Sequence, residues 1–381
     1  MPLNRRDLFR FAGAGAGVLA LGSAAAAAPV SRPAFVPPSP SKPLRLCFNE
    51  NALGMSAAAK KAAVRAIEEE ASLYPFMRCE VLRKACAAYV GGKPENIMLT
   101  HGSAEAIRAS IECNIVENTQ LVIPELTYSD GEDCAKRNGI KVVKVPMRED
   151  LSIDIDGMKK AVAAHKGRSI VYFVNPNNPT STVCDSKVLN AWIRSKPADT
   201  FFVIDEAYGE FVDSKQFVSA KTLVDEGLDN LAVLKTFSKL FAMAGMRVGF
   251  SYATAKTTDK IRTKVAYDVM LNIAAVEAAL SEINDKAFIE MSRKENADAR
   301  ALLCSALDEL KIKYLPSQAN FVFMELKGSL KEFSDRMKAE NILVGRPFPP
   351  ATQWCRISLG TVADMRYFVE KLRQFRRNGW V

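Results

Sequence analysis

Phe201-Phe202-Val203-Ile204-Asp205-Glu206 is a run of four apolar residues closed by two carboxylates. With no polar residue alternating inside it, the run reads as a strand covered on both faces, the pattern of a mainly parallel sheet held between helices. Short runs, most of them also continuously apolar, recur on either side: Ile97 to Leu99, Leu121 to Ile123, Val142 to Val145, Ile170 to Val174, Leu231 to Leu234 and Val248 to Tyr252. Helical periodicity fills the gaps between them, so the middle of the chain is α/β. Several runs end in polar clusters: Thr100-His101-Gly102-Ser103, Asn175-Pro176-Asn177-Asn178, Asp205-Glu206 and Thr236-Phe237-Ser238-Lys239. Ligands of open α/β sheets sit at the carboxyl ends of strands, so these clusters are expected to converge on one site.

Beyond Asp268 the pattern changes to long helices, then strands over Asn320 to Glu325 and Cys355 to Leu359 and a final helix. That is the pattern of a smaller α+β domain. The expected organisation is a segment over 44–75 joining the small domain, a large domain over 76–268 and the small domain over 269–381. At 381 residues, 48% hydrophobic and 25% charged, the chain is long enough for about two globular domains. In the last helix Arg366, Lys371, Arg373, Arg376 and Arg377 alternate with Phe368, Val369, Leu372 and Phe375, which makes one solvated, charged face. No aromatic-interleaved basic cluster accompanies it, so nucleic acid is not an expected partner.

The net charge is +9, of which Arg5, Arg6 and Arg10 against Asp7 supply +2, leaving +7 for the rest. Asn4-Arg5-Arg6-Asp7-Leu8-Phe9-Arg10 resembles a twin-arginine export signal. A short apolar stretch, Phe11 to Leu21, and an alanine run, Ser23 to Ala28, follow in the order that export and cleavage require. Residues 1–28 are therefore expected to be a signal peptide, and 29–43, rich in proline and serine, an extended linker. The implied destination is the periplasm, with the membrane met only in export. Eight cysteines are scattered without C-x-x-C spacing and there are two histidines, which argues against a metal site. Buried free thiols are expected, although a periplasmic protein can carry a disulfide.

Two of the polar clusters have a chemistry of their own. Gly102-Ser103-Ala104 lies between a strand and a predicted helix, where free N–H groups and the helix dipole favour a phosphate. Asp205 would be held partly desolvated at a strand end, where an opposite charge stabilises it strongly.

The segment Lys235-Thr236-Phe237-Ser238-Lys239-Leu240-Phe241-Ala242-Met243-Ala244-Gly245-Met246-Arg247-Val248-Gly249-Phe250 resembles the cofactor-lysine segment of class I/II aminotransferases, in the histidinol-phosphate aminotransferase branch. The likeness continues through Asn49-Glu50-Asn51, Tyr74-Pro75, Gly102-Ser103-Ala104-Glu105, Tyr128, Asn178-Pro179-Thr180, Asp205-Glu206-Ala207-Tyr208 and Arg356-Ile357-Ser358-Leu359-Gly360. The resemblance implies the aspartate aminotransferase-like fold (fold type I) and pyridoxal 5'-phosphate held as a Schiff base on Lys239. By the same resemblance Thr236, Ser238 and Arg247, with Gly102, Ser103 and Ala104, hold the cofactor phosphate. Asp205 meets the ring nitrogen, Tyr208 and Asn178 the phenolic oxygen, and Tyr128 stacks on the ring. Arg356 would grip a substrate carboxylate, with Arg346 in the same pocket, and Tyr74 would reach the phosphate of a neighbouring subunit in a homodimer.

The implied reaction is a ping-pong transfer of an amino group between an amino acid, or a histidinol-phosphate-like amine, and a 2-oxo acid. A decarboxylase or lyase on the same fold, or a non-catalytic cofactor-binding module, would share much of this set. Three departures from the family pattern lie near the substrate or in a turn. Asn51-Ala52-Leu53-Gly54 lacks a proline, Ser181 follows Thr180 in place of glycine, and Gly345 interrupts the usual Val-Arg-Pro.

Overall fold

The computed structural model describes residues 32–266 and 270–381. The expected signal peptide, 1–28, lies outside the described residues. Strands β1 (Leu44–Leu46), β2 (Ile97–Thr100), β3 (Thr119–Pro124), β4 (Lys141–Val145), β5 (Arg168–Val174), β6 (Thr200–Asp205), β7 (Leu231–Thr236) and β8 (Gly249–Tyr252) occupy the first two thirds of the chain. β9 (Phe321–Glu325), β10 (Ile342–Val344) and β11 (Trp354–Ser358) follow. Seven strands form one sheet in the order β2-β8-β7-β6-β5-β3-β4. Its pairs are parallel except where β8 meets β2 and β7.

The continuous apolar runs have a direct structural cause. Phe202 and Ile204 of β6 enter one core with Val171, Phe173 and Val233. Phe201 and Val203, one residue out of step, enter a second core on the opposite face with Ile170, Tyr172 and Leu234. Side chains alternate across a strand, so a strand buried on both faces must be apolar at every position. Each large side chain so buried contributes about 1.5–3 kcal/mol. β4 is the exception: it lies at the sheet edge, and Lys141 and Lys144 are exposed there, the charged blunting that edges require.

Two small sheets complete the fold, parallel β1-β10 and antiparallel β9-β11. The first core continues past the sheet into the helix Ile273–Asn284, whose Ala274, Ala275, Ala278 and Ala279 pack close to Ala59 and Ala63 of the helix Ala57–Glu70. The 24-residue helix Lys286–Glu309 then passes from one core to the other. Ile289 belongs to the first, whereas Ala299 and Leu303 join Val322, Ile357 and Phe368. The changeover between cores therefore lies inside this helix.

The proline-rich stretch from Arg32 to Pro43 forms no helix. It nevertheless lies against the body, with Arg32 Nε 2.7 Å from Glu295 and the Phe35 ring 5.8 Å from Tyr367. Cys86, Cys134 and Cys355 are buried thiols, as expected of small apolar fillers.

Candidate active site

The carboxyl ends of β2, β5, β6 and β7 meet at one cavity of about 290 Å³. Lys239, Asp205, Tyr208, Ser238 and Arg247 line it together with Ser103, Ala104 and Tyr128. From β10 to β11 come Arg346 and Arg356, and Asn178 stands between the two groups. Of the fourteen residues singled out for this site, these eleven line the cavity, and Gly102, Thr236 and Tyr74 do not; Gly102 lies directly behind the wall.

Asp205 ends β6 on the same face as Phe201 and Val203, and it is buried. Its Oδ2 accepts a hydrogen bond from Tyr172 Oη at 3.0 Å and its Oδ1 one from the Ala207 N–H at 3.0 Å. Burial pushes its pKa up to about 6, while those two donors and the nearby Lys239 pull the other way. A cationic N–H placed against it would restore the charged form.

Lys239 Nζ donates to the carbonyls of Asn49 at 3.1 Å and Phe48 at 3.3 Å, and stands 5.6 Å from the centre of the Tyr208 ring. It follows β7 in a turn shaped by Thr236, whose Oγ1 accepts from the Ser238 N–H at 3.1 Å. Thr236 is therefore a buried turn residue and does not line the cavity wall.

The helix Gly102–Glu112 begins beside Lys239 with no side chain capping its N–H groups. Gly102 has a φ of +75°, and a Cβ there would lie 2.4 Å from Arg247 Nη2, so only glycine lets the guanidinium approach this helix end. Arg247 Nη1 donates to Ser238 Oγ at 3.3 Å and to the Ala244 carbonyl at 2.9 Å. Uncapped N–H groups, a guanidinium and a hydroxyl at one corner form an anion cradle.

At the other end Arg356 is buried between the rings of Phe348 (4.9 Å) and Phe321 (5.6 Å). Its Nη1 donates to Asn178 Oδ1 at 2.7 Å and its Nη2 to the Cys47 carbonyl at 2.6 Å, whereas its Nε has no partner among the described residues. Burial, chiefly, holds the guanidinium below its usual pKa. Arg346 stacks on Phe348 at 4.6 Å and donates to the Pro347 carbonyl. The interrupting glycine has a packing reason, since a Cβ on Gly345 would lie 2.5 Å from the Arg356 carbonyl oxygen.

Tyr74 is 77% exposed and stands outside the cavity of its own chain, beside Phe76. His101 pairs with Glu105 at 2.9 Å and also lies outside the cavity wall. Three residues of the site had no role assigned from the sequence. Tyr172 bonds Asp205, Phe348 stacks between the two arginines, and Asn49 donates from Nδ2 to Tyr208 Oη at 3.1 Å. Of the three, only Asn49 stood in a segment that the resemblance marks.

The donor set fits pyridoxal 5'-phosphate. A buried carboxylate with no ion pair among the described residues suits a protonated ring nitrogen, the anion cradle suits a phosphate, and Lys239 lines the same cavity.

Residues 41–372 match the family "Aminotransferase class I and II". Histidinol-phosphate aminotransferases of Moorella thermoacetica and Granulibacter bethesdensis are 31% and 32% identical to this chain. The alignments cover 87% and 89% of it, and 85% and 90% of those proteins. A crystal structure from Erwinia carotovora atroseptica, assigned as a histidinol-phosphate aminotransferase, is 47% identical with a TM-score of 0.89, over 91% of this chain and 100% of that one. The Sinorhizobium meliloti histidinol-phosphate aminotransferase in complex with pyridoxal-5'-phosphate shares the fold, with a TM-score of 0.80 at 23% identity over 88% of this chain and 91% of that one. Fold, site and relatives agree: this chain belongs to the class I and II aminotransferase family and is a transaminase that uses pyridoxal 5'-phosphate.

Proposed function

We propose that this enzyme moves an amino group from an α-amino acid, or from a histidinol-phosphate-like amine, to a 2-oxo acid in alternating half-reactions, with Lys239 as the proton-transferring amine. The observation that carries the reading is the buried Arg356, aimed into the cavity beside Lys239 with an unpartnered Nε and Arg346 close by. Two guanidinium groups around one aromatic ring ask for an anionic substrate group.

Bound pyridoxal phosphate supplies an electron-withdrawing ring that stabilises negative charge on the substrate carbon. Asp205 would keep the ring nitrogen protonated, and Ser103, Ala104, Ser238 and Arg247 would hold the phosphate. Tyr208 and Asn178 would donate to the ring oxygen, with Tyr128 lying over the ring. Lys239 Nζ, released from the Asn49 and Phe48 carbonyls, would be the base that takes and holds the proton of the substrate Cα. Arg356 fixes the carboxylate or phosphate so that the Cα–H bond faces Lys239.

The test is an absorbance titration of the loaded enzyme against a panel of amino donors, each followed by a 2-oxo acid. One group of donors should bleach the visible band and the oxo acid should restore it. Bleaching with release of carbon dioxide, or no reversal, would overturn transamination in favour of decarboxylation or elimination. Arg356→Ala should lower kcat/KM by roughly 10²–10³-fold for donors bearing the anionic group, mostly through KM. An unchanged KM would remove Arg356 from substrate binding.

A homodimer with shared sites is supported by the exposed apolar residues Ile67, Leu73, Tyr74 and Met77, which are close in sequence at the end of the helix Ala57–Glu70 and just beyond it. Solution mass tests it, and Tyr74→Phe should weaken cofactor retention only if Tyr74 reaches the partner's phosphate. Export to the periplasm is supported by Arg5-Arg6 and the apolar and alanine stretches that follow. Fractionation of cells carrying Arg5→Lys/Arg6→Lys tests it, since retention in the cytoplasm is the expected result.

A further inference from the structure

We infer that Asn49 and Ser358 form a polarity lock that forces Tyr208 to act toward the cofactor as a hydrogen-bond donor only. The inference deepens, and rests on, the reading that Tyr208 faces the ring oxygen of pyridoxal phosphate.

The lock starts at a group whose chemistry cannot be reversed. The backbone N–H of Asn49 donates to Ser358 Oγ at 2.8 Å, so that hydroxyl is already an acceptor and its own proton is free to be given away. It goes to Asn49 Oδ1, 2.9 Å distant. With Oδ1 taken, the amide must present Nδ2 on its other side, and Nδ2 donates to Tyr208 Oη at 3.1 Å. Tyr208 has one proton, and its oxygen now accepts from Asn49. The proton is therefore left for the cavity that Tyr208 lines. All three groups are buried, so water does not scramble the order.

Asn49 suits the task in its backbone as well. Its φ of +55° lies in the left-handed region, which asparagine tolerates better than other non-glycine residues. Its carbonyl accepts from Asn320 Nδ2 at 3.0 Å, which holds the turn from behind.

A matching device fixes the second donor. Arg356 can only donate, and its Nη1 occupies Asn178 Oδ1, so Asn178 too is left with its N–H group as donor toward the cavity. Arg356 and Ser358 are two residues apart on β11 and lie on one face of it. One strand thus sets the polarity of both groups that face the ring oxygen. Asp205, an acceptor, stands at the other end of the cavity, so the site is donor at one pole and acceptor at the other.

The experiment uses the full chain loaded with pyridoxal 5'-phosphate and follows its visible absorbance as pH is varied. A donor at the ring oxygen weakens that oxygen's hold on the proton it shares with the neighbouring nitrogen. Losing the donor therefore moves the midpoint to higher pH. Tyr208→Phe should raise the midpoint by roughly one unit, the size of one hydrogen bond to a charged group. Asn49→Asp keeps the size and tolerates the left-handed backbone but turns the donor into an acceptor that captures the Tyr208 proton. It should raise the midpoint nearly as far. Ser358→Ala, which frees the amide to rotate, should raise it by roughly half as much. Tyr208→Phe combined with Ser358→Ala should go no further than Tyr208→Phe alone, because the lock acts through that hydroxyl. A shift in Tyr208→Phe with unchanged midpoints in Asn49→Asp and Ser358→Ala overturns the lock while leaving Tyr208 at the cofactor. Additive shifts in the double variant overturn it too. An unchanged midpoint in Tyr208→Phe removes the reading beneath it, and the lock falls with that reading.

Discussion

Lys239→Ala should lower transamination by about 10⁴-fold or more while the fold stays intact, because the change removes both the covalent anchor and the proton carrier. Nζ donates to two carbonyls, those of Asn49 and Phe48, and pairs with no carboxylate among the described residues. Its loss leaves no buried charge stranded, so the thermal midpoint of the unloaded variant should stay within the range of a surface substitution, about 0.5 kcal/mol. Cofactor should still bind through the anion cradle of Ser238, Arg247 and the helix Gly102–Glu112, but without the visible band of the lysine-bound form. Turnover within tenfold of wild type would show that another group carries the proton.

Asp205→Asn should move stability and activity in opposite directions. The folded, cofactor-free protein holds Asp205 at about 6 against an ordinary value of 3.8. The folded state therefore binds this proton more tightly than the unfolded chain. Stability falls as pH rises from 3.8 toward 6 and stays low above it, by of order 3 kcal/mol at 1.36 kcal/mol per unit. Asparagine keeps the acceptor for the Ala207 N–H and removes that cost. Unloaded Asp205→Asn should therefore melt higher than unloaded wild type at pH 8 and no higher at pH 4. The loaded variant should lose roughly 10²–10³-fold in kcat, since no carboxylate then holds the ring nitrogen's proton. Equal melting at pH 8, or full activity, would count against the burial argument or the pairing respectively.

The parts of this protein that could be read from the sequence are those whose environment repeats along a strand. β5, β6 and β7 are buried on both faces, which forces unbroken apolar runs, and their polar ends mark the site. β1 and β10 could not be read in the same way. Each is three residues long, and each is a strand only because it pairs with the other from the opposite end of the chain. Tyr172 was invisible for a related reason, since its tie to Asp205 depends on the register of β5 against β6. Gly345 stood out as a departure near the substrate, but its cause is the approach of one strand's backbone to another's. Thr236 stands two residues before Ser238, and its Oγ1 accepts from the N–H of the turn that presents Ser238, a tie that depends on the fold of that turn.

The pairing of Leu44–Leu46 with Ile342–Val344 also sets a clock. About 300 residues separate the partners, which at ordinary rates of synthesis is roughly 15–60 s of translation. Before that interval ends, once Tyr252 has been made, the large sheet can form and the lysine can take its place. Asn49, three residues beyond β1, meanwhile has neither Ser358 nor Asn320 to hold it. A nascent chain thus owns most of the amino acids of its active centre well before it owns the centre itself, and the stretch from Ile342 to Ser358 decides when it does.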